Sequence, residues 1–134
     1  MNSAVPSLIV AYDGSPQARR ALEHAAALAG PGGELTVINV VQAQAVGSRL
    51  ETLSDADRAR QQAQLEDARA LLTRSGIRVR TVAAAGDPFT EIVALTRERN
   101  APVVVVGRRR HVLPGRSLTA RLVRAAPCDV LVVR

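Results

Sequence analysis

The residues best suited to chemistry form one short stretch that directly follows four consecutive valines. It holds two glycines, four arginines and one serine: Gly107, Gly115, Arg108, Arg109, Arg110, Arg116 and Ser117. A planar guanidinium binds a phosphate group through two parallel, charge-assisted hydrogen bonds. A hydroxyl and free amides at a helix start add further contacts to phosphate oxygens. These residue types predict an anion site, and a solvent-exposed face of arginines is the alternative.

The distribution of charge agrees with a local anion site. Residues 101–134 contain seven arginines and one acid, Asp129, whereas the first hundred residues carry equal numbers of basic and acidic residues. Every basic residue of the chain is arginine. Chemistry that needs lysine is therefore excluded, which removes the P-loop, Schiff-base enzymes and the response-regulator receiver domain.

The other reactive side chains form no catalytic or metal-binding set. His24 and His111 are far apart in sequence, and Cys128 follows a proline just before an apolar strand, which predicts a buried, inert thiol. We therefore predict a binding protein and not an enzyme, with no metal. Tyr12 and Phe89 are the only aromatic residues, which argues against nucleic acid because single strands stack on aromatic side chains.

Strands and helices alternate along the whole chain. We predict strands over residues 7–11, 34–41, 77–82, 103–106 and 130–133. We predict helices over residues 16–29, 54–74, 88–99 and 117–125, and a polar loop over residues 42–52. Unbroken alternation predicts an α/β fold with a parallel sheet covered by helices on both faces. The strand over 77–82 begins with polar alternation, so we expect it at a sheet edge.

Capping residues and apolar spacing support the helices. Ser15, Ser54 and Asp87 are predicted N-caps, and two of them precede a proline at the first helical position. We expect the apolar faces of the first and third helices to be buried. Their residues are Ala18, Ala21, Leu22, Ala25, Leu28 and Ala29 in the first helix and Ile92, Val93, Leu95 and Thr96 in the third.

The four valines of residues 103–106 are apolar on both faces of their strand, which is typical of the interior of a parallel sheet. Ligands of open α/β sheets bind beyond the carboxyl ends of such strands. Gly107 therefore marks the expected site.

The length of 134 residues suits one domain, which we assign to residues 1–134. No apolar run is long enough to span a bilayer, and the first residues lack the pattern of a signal peptide. We expect a cytoplasmic protein that does not bind a membrane.

Several motifs together resemble the universal stress protein family over essentially the whole chain. The motifs are residues 9–15, Gly86-Asp87-Pro88, residues 103–107, and Ala126-Pro127-Cys128 leading into residues 130–133. The resemblance implies an open five-stranded parallel sheet of order 3-2-1-4-5, with helices on both faces, in a Rossmann-like fold. It also implies a stress-response function.

The resemblance further implies an adenine nucleotide such as ATP at the carboxyl ends of the first and fourth strands. Family members that bind nucleotides carry glycine, two residues, glycine, nine residues, then glycine and Ser or Thr. Here Gly107 matches the first glycine, Arg110 replaces the second, and the loop is about four residues shorter. We expect arginines to compensate. The residues implied to bind are Ala11, Asp13, Val40, Val41, Gly107, Arg108, Arg110, Gly115, Arg116 and Ser117.

A second interpretation is a homodimeric interaction module of the same fold without a nucleotide, and the loop between Gly107 and Ser117 decides between the two. In the implied order the last strand, Val130-Leu131-Val132-Val133, is an apolar sheet edge. Its unpaired backbone groups favour pairing with a second copy of the chain. We therefore expect a homodimer through this strand.

Overall fold

A computed structural model of the chain describes residues 7–42, 45–46, 49–50, 53–108 and 117–134. These ranges contain seven strands and four helices. The strands are β1 (Leu8–Ala11), β2 (Glu34–Val41), β3 (Ala45–Val46), β4 (Arg49–Leu50), β5 (Arg78–Ala85), β6 (Val103–Gly107) and β7 (Asp129–Val133). The helices are α1 (Pro16–Ala29), α2 (Asp55–Arg74), α3 (Pro88–Arg99) and α4 (Leu118–Ala125).

Five strands form one parallel sheet in the order β5-β2-β1-β6-β7. Counted along the chain, this is the order 3-2-1-4-5, so the predicted fold is confirmed. The valine-rich strand β6 lies between β1 and β7, and Ile9 of β1 pairs with Thr36 on one side and Val104 on the other. As expected, β5 forms one edge of the sheet, and β7 forms the other.

Two apolar clusters cover the two faces of the sheet. The cluster under α1 and α2 contains Val10 and Val105, whereas the cluster under α3 and α4 contains Ile9 and Val104. Neighbouring residues of one strand thus enter opposite clusters, as the alternation of side chains in a strand requires. Among the helices that the structure describes, none is both long and apolar enough to cross a membrane.

Each helix begins at a side chain that accepts a hydrogen bond from a backbone amide of the first turn. The acceptors are Ser15, Ser54, Asp87 and Ser117, at 3.0 to 3.1 Å. These bonds satisfy amides that have no partner within the helix. The predicted caps are confirmed, and they fix where each helix starts relative to the strand before it.

Several predicted boundaries are wrong, most of them by one residue. Residues 42–52 contain the antiparallel pair β3 and β4 and are not simply a loop. β5 continues to Ala85 because pairing with β2 along its full length overrides the weak strand propensity of alanine. β7 begins one residue early, at Asp129, which pairs with Val103.

The predicted burial of Leu28 is also wrong. Ala18, Ala21, Leu22 and Ala25 are buried on the inner face of α1, but Leu28 is 57% exposed. The angle of 100° per residue places Leu28 at the margin of the apolar stripe, in the last turn of the helix. Proximity to the stripe was therefore not enough to bury it.

The two leucines of α1 should respond very differently to truncation. Leu22 is 1% exposed, so Leu22→Ala should lower the free energy of unfolding by about 2–5 kcal/mol. Leu28→Ala is the matched control and should change it by less than about 0.5 kcal/mol. Urea unfolding followed by circular dichroism measures both values. Equal losses for the two variants would contradict the assigned inner face of α1.

Candidate functional site

An open cleft of about 580 Å³ lies at the carboxyl ends of β1, β2 and β6. Such a volume lies within the range of small-molecule sites, and the position is where open α/β sheets bind ligands. Six of the residues implied by sequence line this cleft: Ala11, Asp13, Val40, Val41, Gly107 and Ser117. The structure thus brings together residues that are up to 106 positions apart in the chain.

The remaining sequence-implied residues do not lie in the described cleft lining. Arg108 is exposed, is absent from the lining, and its backbone amide donates to the carbonyl of Val133 at 2.7 Å. Arg110, Gly115 and Arg116 lie outside the described residues, as do Arg109 and His111. The arginine-rich part of the expected anion site therefore stays a prediction from sequence.

Apolar side chains from the sheet and from two helices form the inner wall of the cleft. Ile38 and Val106 are 2% exposed and Ile92 is 1% exposed, and they meet Val40 and Leu118 in the same lining. The wall is continuous with the apolar cluster under α3 and α4. A flat apolar group, such as a heteroaromatic ring, would remove further apolar surface from water here.

Gly107 serves a packing role that the sequence reasoning did not identify. A Cβ atom at this position would lie 2.6 Å from the backbone carbon and oxygen of Gln17 and 2.9 Å from the amide nitrogen of Ala18. Real Cβ atoms do not approach backbone so closely. Glycine is thus required because the end of β6 contacts the first turn of α1, whatever the cleft binds.

Tyr12, in the turn after β1, connects this turn to α2. Its side chain is buried, and its hydroxyl donates to Oδ2 of Asp67 on α2 at 2.8 Å. Burial, followed by the nearby Asp67 carboxylate, raises the pKa of Tyr12 to about 12, so the phenol stays protonated. Arg19 of α1 also reaches Asp67, at 3.4 Å. These contacts join β1, α1 and α2 directly beneath the cleft.

Three amide side chains occupy the part of the cleft beside α2. Gln61 Nε2 donates to the backbone carbonyls of Asn39 and Ala84, both at 2.9 Å. Asn39 Nδ2 donates to the carbonyl of Tyr12 at 2.9 Å and to Oε1 of Gln64 at 2.6 Å. This network joins the ends of β1, β2 and β5 to α2.

The described part of the lining carries little net charge. Its charged residues are two acids, Asp13 and Asp57, and one base, Arg60. Asp13 Oδ1 accepts a hydrogen bond from the amide of Ser15 at 2.9 Å, which fixes the turn into α1. Arg60 Nη2 lies 3.5 Å from Oδ1 of Asp57 on the same helix.

An ion pair holds the starts of α3 and α4 together at the margin of the cleft. Nη1 and Nη2 of Arg121 donate to the two carboxylate oxygens of Asp87 at 3.0 and 3.2 Å, and the guanidinium lies 4.6 Å from the ring centre of Phe89. Hydrogen bonds from Arg121, and then from Thr90, hold the pKa of Asp87 below its ordinary value of 3.8. Arg121 therefore belongs to this contact and not to an anion site.

Sequence reasoning missed Asn39, Gln61 and Gln64, although two of them left a signal. Gln61 occupies the same helical stripe as the buried residues Leu65, Ala68 and Leu72. Asn39 is the polar residue within the apolar run of β2. A polar residue at a core position needs a hydrogen-bond partner, which is what the network supplies.

The groups that line the described cleft can contact a ligand through apolar surface and hydrogen bonds. Within the described ranges no three His, Cys, Asp or Glu side chains gather as a metal site requires. The described lining contains no cysteine or histidine, and its two serine hydroxyls, of Ser15 and Ser117, cap helices. The apolar wall, the amides and the helix starts can bind and orient a ligand.

An open parallel sheet with four flanking helices and a cleft at its carboxyl ends defines a Rossmann-like α/β protein. The sequence profile of the Universal stress protein family matches residues 6–134. The chain belongs to the universal stress protein family. No curated protein sequence matches it significantly.

Solved structures of similar fold cover nearly the whole chain. A universal stress protein family member from Burkholderia pseudomallei is 27% identical with a TM-score of 0.73, and the match covers 98% of each chain. A universal stress protein in complex with cAMP is 23% identical with a TM-score of 0.75 and the same coverage. A family member from Arabidopsis thaliana with AMP bound is 19% identical with a TM-score of 0.68, covering 96% of this chain and 91% of that one.

The ion pair between Asp87 and Arg121 should make stability depend on pH in the acid range. Because the folded pKa of Asp87 is depressed, its contribution is complete above the unfolded pKa and is lost as pH falls through the folded pKa. Asp87→Asn keeps an N-cap but not the ion pair, so it should cost at most about 1 kcal/mol at pH 7. The difference from wild type should shrink toward zero below pH 3.8.

Urea unfolding of both proteins between pH 7 and pH 3 measures this difference. Glu23→Gln on α1 is the control, since this exposed acid forms no ion pair with a described residue. A constant difference between Asp87→Asn and wild type across the whole pH range would contradict the role of the ion pair.

Proposed function

We propose that this chain is a stress-response module that binds an adenine nucleotide such as ATP in the cleft and does not turn it over. The observation that carries the proposal is the cleft itself, a volume of about 580 Å³ at the carboxyl ends of β1, β2 and β6. It combines an apolar wall with polar groups at both ends, as nucleotide sites do. The predicted cytoplasmic location is part of the same proposal.

The likeness to structures with bound cAMP and AMP supports this choice of ligand. Each of those proteins shares the fold over almost the whole chain. Their identity of 23% or less does not carry over individual contacts, so the contacts are argued from this chain's own residues. The comparison supports only the general position of the ligand in this chain, a crevice at the carboxyl ends of the central strands.

The lining suggests how the nucleotide lies. The apolar wall of Ile38, Val40 and Ile92 suits the flat face of the base. Ser117 and Leu118 at the start of α4 line the same cleft as Gly107, and the first amides of this helix suit a phosphate group. By sequence, the arginines of residues 109–116 are nearest in the chain to this end. The base then lies toward β2 and the phosphates toward β6.

The absence of turnover is inferred from the groups that line the cleft. General acid–base catalysis needs a titratable group within hydrogen-bond distance of a nucleophile. In the described lining, Asp13 Oδ1 accepts from the Ser15 amide and Asp57 pairs with Arg60. No described residue of the lining forms a nucleophile and base pair. Binding is the activity that these groups support.

Calorimetry should detect ATP binding that weakens as salt rises, because the phosphate contacts are expected to be charged. Arg110→Ala should weaken binding roughly ten- to a hundredfold, which corresponds to about 1.5–3 kcal/mol for a desolvated contact between arginine and phosphate. Arg78→Ala is the matched control, because Arg78 is exposed at the start of β5, at the opposite end of the strands from the cleft. Its affinity should equal that of wild type.

A wild-type protein that gives no heat with ATP at high protein concentration would overturn the proposal. It would favour the alternative, a homodimeric interaction module of the same fold without a nucleotide. A native mass spectrum of the purified protein gives an independent test, because a bound adenine nucleotide adds its mass to that of the chain.

We also propose that the chain forms a homodimer through the open edge of β7. The amide of Asp129 donates to Pro102 and the carbonyl of Val133 accepts from Arg108. Backbone groups of successive strand residues point to opposite sides, so residues 129, 131 and 133 face β6. Val130 and Val132 then direct their amides and carbonyls outward. A second copy of the strand would satisfy them.

The opposite edge of the sheet is less available. Nη1 of Arg69 on α2 donates to the carbonyl of Val79 at 3.3 Å, and its Nη2 donates to Oγ1 of Thr81 at 3.3 Å. The amide of Arg78 bonds to Gly33, so Val79 belongs to the outward-facing set of β5. A long charged side chain over an edge strand discourages pairing. This contrast favours β7 as the dimer edge.

Proline substitutions on β7 should separate dimerisation from folding. Val132→Pro removes an outward-facing donor, so it should yield a folded monomer. Leu131→Pro removes a donor that faces β6, so it should unfold or strongly destabilise the chain. Sedimentation velocity and circular dichroism measure the two effects. A wild-type monomer at micromolar concentration, or a Val132→Pro dimer, would contradict the proposal.

A further inference from the structure

The orientations of the amides beside α2 are set by backbone carbonyls. Gln61 places its nitrogen 2.9 Å from the carbonyl oxygens of Asn39 and Ala84, and Asn39 places its nitrogen 2.9 Å from the carbonyl oxygen of Tyr12. A carbonyl oxygen only accepts hydrogen bonds, so each of these amide ends must be NH₂. Neither side chain can be flipped without losing bonds at buried positions.

The network also fixes which end of Gln64 faces the cleft. Asn39 Nδ2 donates to Gln64 Oε1 at 2.6 Å, so the oxygen is turned toward β2. Gln64 Nε2 lies above the turn after β1, 3.0 Å from where a Cβ atom at Gly14 would stand. It makes no hydrogen bond to another described residue, and Gln64 lines the cleft. Gln64 thus presents a donor to a ligand.

Gln61 presents an acceptor one turn earlier on the same helix. Its side chain is 5% exposed, yet it lines the cleft. Its Oε1 bonds to no described residue, and Arg99 Nε is the one buried polar side-chain atom without a partner in the described chain. Gln61 Oε1 is therefore open to the cleft. Residues three apart on a helix lie on the same face, so this acceptor and the Gln64 donor are neighbours.

We propose that Gln61 and Gln64 determine specificity by recognising the hydrogen-bonding edge of the ligand's base. This inference rests on the proposed nucleotide binding. The two glutamines lie on α2 against Asn39 and Ala84, whereas Ser117 starts α4 on the opposite face of the sheet, so we place them at the base and not at the phosphates. Adenine offers a ring-nitrogen acceptor for Gln64 and an exocyclic amino donor for Gln61. Hypoxanthine reverses both groups on the same ring shape.

Affinities for ATP and ITP, measured by calorimetry, test this assignment. Wild type should bind ATP about tenfold more tightly than ITP, because ITP leaves buried polar groups unpaired. Gln64→Met should bring the two affinities to within about threefold of each other, since the discriminating donor is gone. ATP and ITP carry the same phosphates and ribose, so changes at the phosphate end cancel in the ratio.

A second variant retains the hydrogen bond from Asn39 and replaces the donor at residue 64 with an acceptor. Gln64→Glu keeps an oxygen for Asn39 Nδ2 but replaces the donor with a carboxylate oxygen. It should therefore favour ITP, whose ring N–H can donate to the carboxylate. Gln62→Met is the matched control, because Gln62 is an exposed residue of the same helix outside the cleft, and it should keep the wild-type ratio.

The possible results separate this inference from the function on which it rests. If wild type binds ATP but both Gln64 variants keep the wild-type ratio of ATP to ITP affinity, the two glutamines do not recognise the base and nucleotide binding still stands. Equal wild-type affinities for ATP and ITP would likewise overturn the assignment alone. If wild type binds neither nucleotide, both proposals fail.

Discussion

The close contact between the end of β6 and the start of α1 is the constraint on which the cleft depends. A Cβ atom at Gly107 would collide with the backbone of Gln17. With glycine there, β6 and the first turn of α1 lie side by side, and both border the same cleft. The apolar wall, the helix starts and the turn at Asp13 are arranged around this contact. Gly107 thus contributes both to the packing of β6 against α1 and to the lining of the cleft.

The amide network divides the cleft into two chemically different ends. Neutral groups of Asn39, Gln61 and Gln64 line the cleft beside α2, whereas Ser117 and Leu118 at the start of α4 line it from the other face of the sheet. Neutral amides discriminate by the direction of hydrogen bonds, and cationic groups discriminate mainly by charge. Such a division suits a ligand with a neutral ring at one end and an anionic group at the other.

The sequence predicted the helix caps and the cleft position because these depend on local patterns and on general rules of α/β topology, whereas the strand order followed from the resemblance to the universal stress protein family. The predicted burial of Leu28 was wrong because spacing alone does not show how wide the buried stripe of a helix is. The packing role of Gly107 was missed because a close approach of distant backbones leaves no local signal. The amide network depends on contacts between residues 22 to 27 positions apart, so only the fold could assemble it.

The two edges of the sheet differ in how readily each can pair with a further copy of the chain. One edge is crossed by the guanidinium of Arg69, whereas the other leaves the backbone groups of Val130 and Val132 unpaired. A sheet with two open edges can add copies without end and grow into a fibre, but a sheet with one open edge is saturated after a single addition. In the proposed dimer, the guanidinium over β5 discourages pairing at the second edge, so its loss should matter most at high protein concentration.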